Sequence, residues 1–147
     1  MKPVVAHAKP VVSIAILHQQ NQFLLQLRDN IPNIAYPGHW GLFGGHIEQD
    51  ETPEIALVRE LQEEICYSPP NAVRFGIYED DRAIRYVFAA PLTVGINELT
   101  LLEGWDLGLF TRSQVEQGER FSDRANQIRP LGAIHQQILL DFIKKNG

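Results

Sequence analysis

The sequence predicts an α/β fold in which a mixed β-sheet lies sandwiched between helices. Three observations lead there. Short β-rich runs separated by turn residues recur along the chain. A capped helix, from Thr52 to about Cys66, stands among them. A second helix with an apolar face closes the chain, so helices are available to cover both faces of the sheet.

Residues 1–10 carry Pro3 and Pro10 and read as an extended arm, which leaves 11–147 as one domain. Val11–His18 and Phe23–Arg28 are β-rich and flank Gln19-Gln20-Asn21-Gln22, the pattern of a hairpin. Asp29–His39 holds Pro32 and Pro37-Gly38 and is a loop. Trp40–Phe43 is a short strand that Gly44-Gly45 is expected to break. Thr52 can cap the helix that follows, and Pro53 suits a first helical position, where no N–H is needed. Ser68-Pro69-Pro70-Asn71 ends it. Val73–Tyr78 and Arg85–Ala90 are strands around the acidic turn Glu79-Asp80-Asp81. Leu107–Phe110 is a further strand, and Thr111–Gln117 a short helix with Thr111 or Ser113 as its cap. Leu131–Lys144 places Ile134, Ile138, Leu139 and Phe142 at helical spacing.

The 147 residues suffice for a single core, and 44% apolar with 21% charged residues is ordinary for a globular protein. The net charge of −5, with no basic run, argues against nucleic acid as a partner. An anionic substrate would need positive charge from elsewhere, and a bound metal is the obvious source. The lone Cys66 excludes an intrachain disulfide, and His7, His18, His39 and His135 have no metal-ligand spacing. The apolar run Val11–Leu17 is too short to span a membrane, and the N-terminus does not look like a secretory signal, so the cytoplasm is the expected compartment.

The helix carries the chemistry. At 100° per residue, Glu60, Glu63 and Glu64 fall within an arc of about 100°. Ile55, Leu57, Val58, Leu61 and Ile65 are expected on an oily side, and small Ala56, inside the acidic arc, would leave room for a ligand. Like charges at these spacings repel unless a cation compensates them, and an all-oxygen donor set suits Mg²⁺ or Mn²⁺. The glycine pair ahead of the helix offers N–H groups to an anion. Arg59 adjoins the cluster and can pair with Glu51.

The segment resembles the Nudix signature, G-x5-E-x7-R-E-U-x-E-E-x-G-U, with U a bulky aliphatic residue. Gly45, Glu51, Arg59, Glu60, Leu61, Glu63 and Glu64 stand at matching positions. With each fixed residue type at roughly one position in fifteen, chance would give the six fixed ones about once in ten million windows. Cys66 and Tyr67 depart, standing where the family has glycine and an aliphatic residue, and Phe43 precedes the glycine pair where MutT-like members often have proline. That family glycine commonly forms a left-handed helix cap. The hairpin ending in Leu24–Arg28, Trp40, and Glu103-Gly104-Trp105 followed by Leu109-Phe110 are similar to the family's strands around the signature.

The resemblance implies a Nudix-type α/β/α sandwich and a Mg²⁺-dependent (or Mn²⁺-dependent) hydrolase. Such an enzyme cuts a diphosphate bond in a nucleoside diphosphate linked to another moiety, with a metal-activated water attacking phosphorus. It implies Glu60, Glu63, Glu64 and the Gly45 carbonyl as metal ligands, and Glu64 or a distal acid such as Glu103 as proton acceptor, with Glu98 and Asp106 as rivals for the distal role. Glu51 and Arg59 are structural. Arg28 is expected on a substrate phosphate, with Gly44, Gly45 and Tyr36 as further substrate contacts and Asn33 near the base. His46 is read as a strand residue beside the site, and Trp40 as core. The alternative is a non-catalytic nucleotide- or diphosphate-sensing domain, although retention of the three glutamates favours an enzyme. The partner is a small nucleotide-type molecule, no membrane is involved, and a homodimer is compatible with the family. Counting past Tyr67, Arg82 and Ala83 stand where some relatives carry a proline or tyrosine that marks their substrate, so the diphosphate compound stays open.

Overall fold

The computed structural model describes residues 9–146. The arm expected at 1–10 therefore falls largely outside the described residues, as does His7; Pro10 is described, and its carbonyl accepts the Ile84 N–H at 3.0 Å.

Strand β1 (Val11–Gln19) alternates so that Ile14 and Ile16 enter one core, and Ala15 and Leu17 enter another on the opposite face. The two-residue turn Gln20-Asn21 has positive φ (51° and 62°), which matches the twist of a hairpin, and leads into β2 (Gln22–Leu27). Next come β3 (Trp40–Gly41) and β4 (Phe43–His46), one extended stretch that changes partner. Its first part pairs with β2, and its second pairs antiparallel with β1. Helix α1 (Pro53–Ile65) precedes the antiparallel pair β5 (Val73–Glu79) and β6 (Ile84–Pro91), and β6 runs parallel to β1. Strand β7 (Asp106–Thr111) pairs with β2. Helix α2 (Arg112–Gln117), capped by Thr111, leads to a separate hairpin, β8 (Glu119–Ser122) with β9 (Gln127–Pro130), and helix α3 (Ala133–Asn146) ends the chain.

The result is a mixed sheet with flanking helices. Leu57, Leu61 and Ile65 of α1 pack over Ala15, Leu17, Phe43 and Phe88, while Ile138 and Leu139 of α3 pack in the other core with Ile16, Leu25, Trp40 and Phe110. No helix among the described residues is long and apolar enough to cross a membrane.

Three expectations change. Gly44-Gly45 does not break a strand but lies within β4, paired with Ile14 and Ser13. A Cβ on Gly44, whose φ is 145°, would collide with the β1 backbone. The glycines therefore serve the close approach of two strands, and they are not the N-terminus of α1. The oily side of α1 is narrower than its composition suggested, because Ile55 and Val58 are about half exposed. Ala56 is fully buried beneath the helix and leaves no opening for a ligand.

Candidate active site

Helix α1 is held at both ends. Thr52 accepts the Ile55 N–H at its start. At its end Cys66 adopts φ 54°, ψ 42°, the left-handed conformation, and its N–H bonds the Gln62 carbonyl. Ser13 of β1, fully buried, donates its hydroxyl proton to the Pro53 carbonyl at 2.7 Å and fixes the helix against the sheet.

Arg59 gathers the carboxylates. Its guanidinium meets Glu51 through two bonds of 2.7 and 2.9 Å, and also bonds Glu60 at 3.0 Å and the His46 carbonyl at 2.9 Å. That pairing, with the Glu48 N–H, holds the Glu51 carboxyl well below its usual range, at about 2. Glu63 is a looser partner at 3.4 Å, and its side chain is about half exposed.

Glu64 differs from its neighbours. It is 4% exposed, and its Oε1 accepts the Gly44 N–H at 3.0 Å. Burial, with Glu60 and Glu103 nearby, pushes its carboxyl up to about 8. Burial also raises Glu60, against the pull of Arg59. A Cβ on Gly45 would run into the Glu60 carboxylate, so a side chain there would displace Glu60 from this face of α1.

Beside these groups opens a cavity of about 310 Å³. Its wall brings together Glu60, Glu64, Glu103, Arg28, Tyr36 and the Gly44-Gly45 backbone, all singled out in the sequence. His46, at the end of β4, lies at its edge. Glu63 and Asn33 are not in the wall. The Gly44 N–H, bound to Glu64, is not free to meet a substrate anion, so Gly44 acts here by steering Glu64. Neither rival of Glu103 reaches the cavity. Glu98 bonds the Gly95 N–H at 2.8 Å, and Asp106 is tied to Ser122 Oγ at 2.7 Å and to the Leu107 N–H. Trp40 is fully buried, with its indole N–H on the Arg120 carbonyl.

Three titratable wall residues had been given no role in the site: Arg82, Arg85 and His135. The Arg82 guanidinium lies 5.0 Å from the centre of the Tyr36 ring. Arg85 is 4% exposed, on the face of β6 shared with buried Val87 and Ala89. A charge at that register is the signal that could have found it.

Among the described residues, no three His, Cys, Asp or Glu side chains already enclose a metal position. Glu60 and Glu63 face Arg59, and Glu64 faces Gly44. The donor set still fits a hard divalent cation. Glu60, Glu64 and Glu103 offer carboxylate oxygens to one cavity, and the buried Glu64 has no salt-bridge partner of its own.

A family model described as NUDIX domain matches residues 7–129. An ADP-ribose pyrophosphatase of Methanocaldococcus jannaschii is 30% identical over 142 residues, which is 94% of this chain and 76% of that one. An 8-oxo-dGTP diphosphatase of Proteus vulgaris is 38% identical over 69 residues, covering 46% of this chain and 62% of the relative. The NUDIX domain of Shewanella oneidensis NrtR, complexed with ADP-ribose, shares the fold with a TM-score of 0.73 at 22% identity, over 100% of this chain and 94% of that one. The chain belongs to the Nudix hydrolase family.

Proposed function

We propose that this protein hydrolyses the diphosphate bond of a nucleoside diphosphate joined to a second moiety, with an ADP-ribose-like compound as first candidate. The observation that carries the reading is the buried Glu64 beside Glu60 and Glu103 in a cavity that also holds Arg28. The substrate preference draws on the extent of similarity. The ADP-ribose pyrophosphatase matches nearly the whole chain, whereas the 8-oxo-dGTP diphosphatase matches less than half of it.

Glu60, Glu63, Glu64 and the Gly45 carbonyl would hold Mg²⁺ or Mn²⁺. When bound, the cation would neutralise diphosphate oxygens and make a water more acidic. Gly44 orients Glu64, and Arg59 with Glu51 sets the position of Glu60. Glu103, on a bend with no secondary structure to restrain it, takes the proton of the water that attacks phosphorus. The bridging P–O bond breaks, and both products end in phosphate. Arg28 binds a phosphate, and Tyr36 packs against the nucleoside.

The test is incubation with ADP-ribose and with 8-oxo-dGTP, in Mg²⁺, in Mn²⁺ and in EDTA, with chromatography of the products. Metal-dependent release of AMP from ADP-ribose, faster than any turnover of 8-oxo-dGTP, is expected. Tight binding of ADP-ribose without turnover in either metal would replace this reading with a sensing domain.

A further inference from the structure

The charges lining the cavity fall into two groups. Glu60 and Glu64 have their carboxyls raised by burial first and then by neighbouring carboxylates, Glu103 among them, whereas Arg28 and Arg85 act on His135, whose imidazole is pushed down chiefly by burial and then by these two cations. One part of the wall is acidic and another is basic.

Arg85 belongs to the basic part and is nearly as buried as a core residue. A buried guanidinium requires acceptors, and an N–H left without one carries its full desolvation penalty. Asp80 Oδ1 lies 3.0 Å from Arg85 Nη1, near enough to pair the charges. The same oxygen, however, already accepts the Arg82 and Ala83 N–H groups, and Nη1 is left with no aligned hydrogen-bond acceptor. Arg28 Nε is buried and unpartnered in the same way. Among the described residues these are the only buried side-chain nitrogen or oxygen atoms without a partner, and both residues line this cavity. Were Arg85 only a structural pin for the β5–β6 turn, its donors would be expected to end on protein acceptors.

We propose that Arg85, together with Arg28, forms an anion subsite that binds a phosphate of the nucleoside diphosphate, making Arg85 a specificity residue of the site. A phosphate offers several acceptor oxygens and matches the fork of N–H groups on a guanidinium. Asp80 holds Arg85 in place without exhausting its donors. The subsite supplies the positive charge that an acidic chain of net −5 otherwise lacks here. This inference rests on the reading above only in placing a nucleoside diphosphate in the cavity; it does not require hydrolysis.

The experiment is calorimetric binding of α,β-methylene-ADP, whose bridge water cannot cleave, in Mg²⁺, with adenosine as the phosphate-free control. The proteins are wild type, Arg85→Gln, Arg85→Lys and Asp80→Asn, each checked for its thermal midpoint. Arg85→Gln should weaken the methylene analogue at least ~10-fold and leave adenosine unchanged. Arg85→Lys should recover part of the loss, and Asp80→Asn, which keeps an oxygen beside Nη1, should lose clearly less affinity than Arg85→Gln even if its midpoint falls. Equal loss in Arg85→Gln and Asp80→Asn would make Arg85 a structural pin and overturn the proposal. Unchanged binding in Arg85→Gln, an equal loss of adenosine binding, or no binding of the analogue to wild type would also overturn it. Arg85-dependent binding in a protein that hydrolyses nothing would leave the subsite standing and remove only the catalytic reading.

Discussion

The His135 imidazole accepts the Leu42 N–H at its Nδ1, 3.1 Å away and 93 residues distant in sequence. Leu42 stands where the extended stretch leaves β2 and joins β1, so its N–H has no ladder partner, and the histidine supplies one. The bond requires a neutral ring with its proton on Nε2.

The first prediction follows from that neutrality. Burial, with Arg85 and Arg28 nearby, pushes the His135 pKa down to about 3 from an ordinary 6.5. Below pH 6.5 the unfolded chain takes up a proton that the folded chain refuses. Stability is therefore full above 6.5 and falls as pH drops toward 3, by at most about 1.4 kcal/mol per pH unit from this group. His135→Gln, whose side-chain oxygen can still accept the Leu42 N–H, should lack this part of the slope. Urea unfolding of both proteins at pH 7 and pH 4.5 measures it, and parallel losses would refute the assignment.

Cys66 closes α1 at φ 54°, a conformation that costs an L-residue roughly 1 kcal/mol and glycine almost nothing. Its side chain is exposed and unpaired, so little packing is lost on removing it. Cys66→Gly should raise the thermal midpoint by a few degrees, and Cys66→Val should lower it. A lower midpoint for the glycine variant would mean that the thiol makes a contact outweighing the backbone strain.

Glu103 and Glu98 lie five positions apart on one connection, but only Glu103 borders the cavity. Glu103→Gln should lower kcat by ~100-fold or more and flatten the acidic limb of the pH–rate profile, with KM nearly unchanged. Glu98→Gln, whose side-chain oxygen can still accept the Gly95 N–H, should leave kinetics intact. A large loss at 98 with none at 103 would transfer the role.

What the sequence made legible is what local chemistry dictates. Thr52-Pro53 and the Glu-rich turns of α1 define that helix with no help from the rest of the chain, and Arg59 pairs with Glu51 as its position suggested. The β8–β9 hairpin was hidden because it buries almost nothing apolar: its cross-strand pair Phe121 and Ile128 is about half exposed, and its other residues, Pro130 apart, are polar or charged. Gly44-Gly45 read as a strand break because the reason for two glycines is non-local, the approach of β1 on one side and of Glu60 on the other. Arg85 and His135 went unseen for the same cause. Their significance lies in a cavity assembled from β1, β4, β6, α1 and α3, and no window of sequence contains it.

The last prediction sets stability against activity at Glu64. Its carboxyl is pushed up to about 8 from an ordinary 4.5, with burial the leading cause. Between these values the unfolded chain is ionised while the folded chain holds the proton, so the group destabilises the metal-free fold progressively as pH rises from 4.5 toward 8. At pH 7 that amounts to roughly 3 kcal/mol as an upper bound. Glu64→Gln keeps an oxygen for the Gly44 N–H and removes the charge. Without metal it should be more stable than wild type at pH 8, by several degrees in thermal midpoint, with the difference vanishing near pH 4.5. It should also lower kcat by ~100-fold or more, as should Glu63→Gln. The two variants separate in stability. Glu63, half exposed beside Arg59, should show no such gain on neutralisation. Added Mg²⁺ should raise the wild-type midpoint and leave that of Glu64→Gln nearly fixed, because the proposed cation site depends on the charge that the variant lacks. Melting curves of the three proteins at pH 4.5 and pH 8, with EDTA and with Mg²⁺, test each step. A Glu64→Gln protein that is no more stable than wild type in EDTA at pH 8 would show that the buried carboxylate already has its counter-charge within the protein.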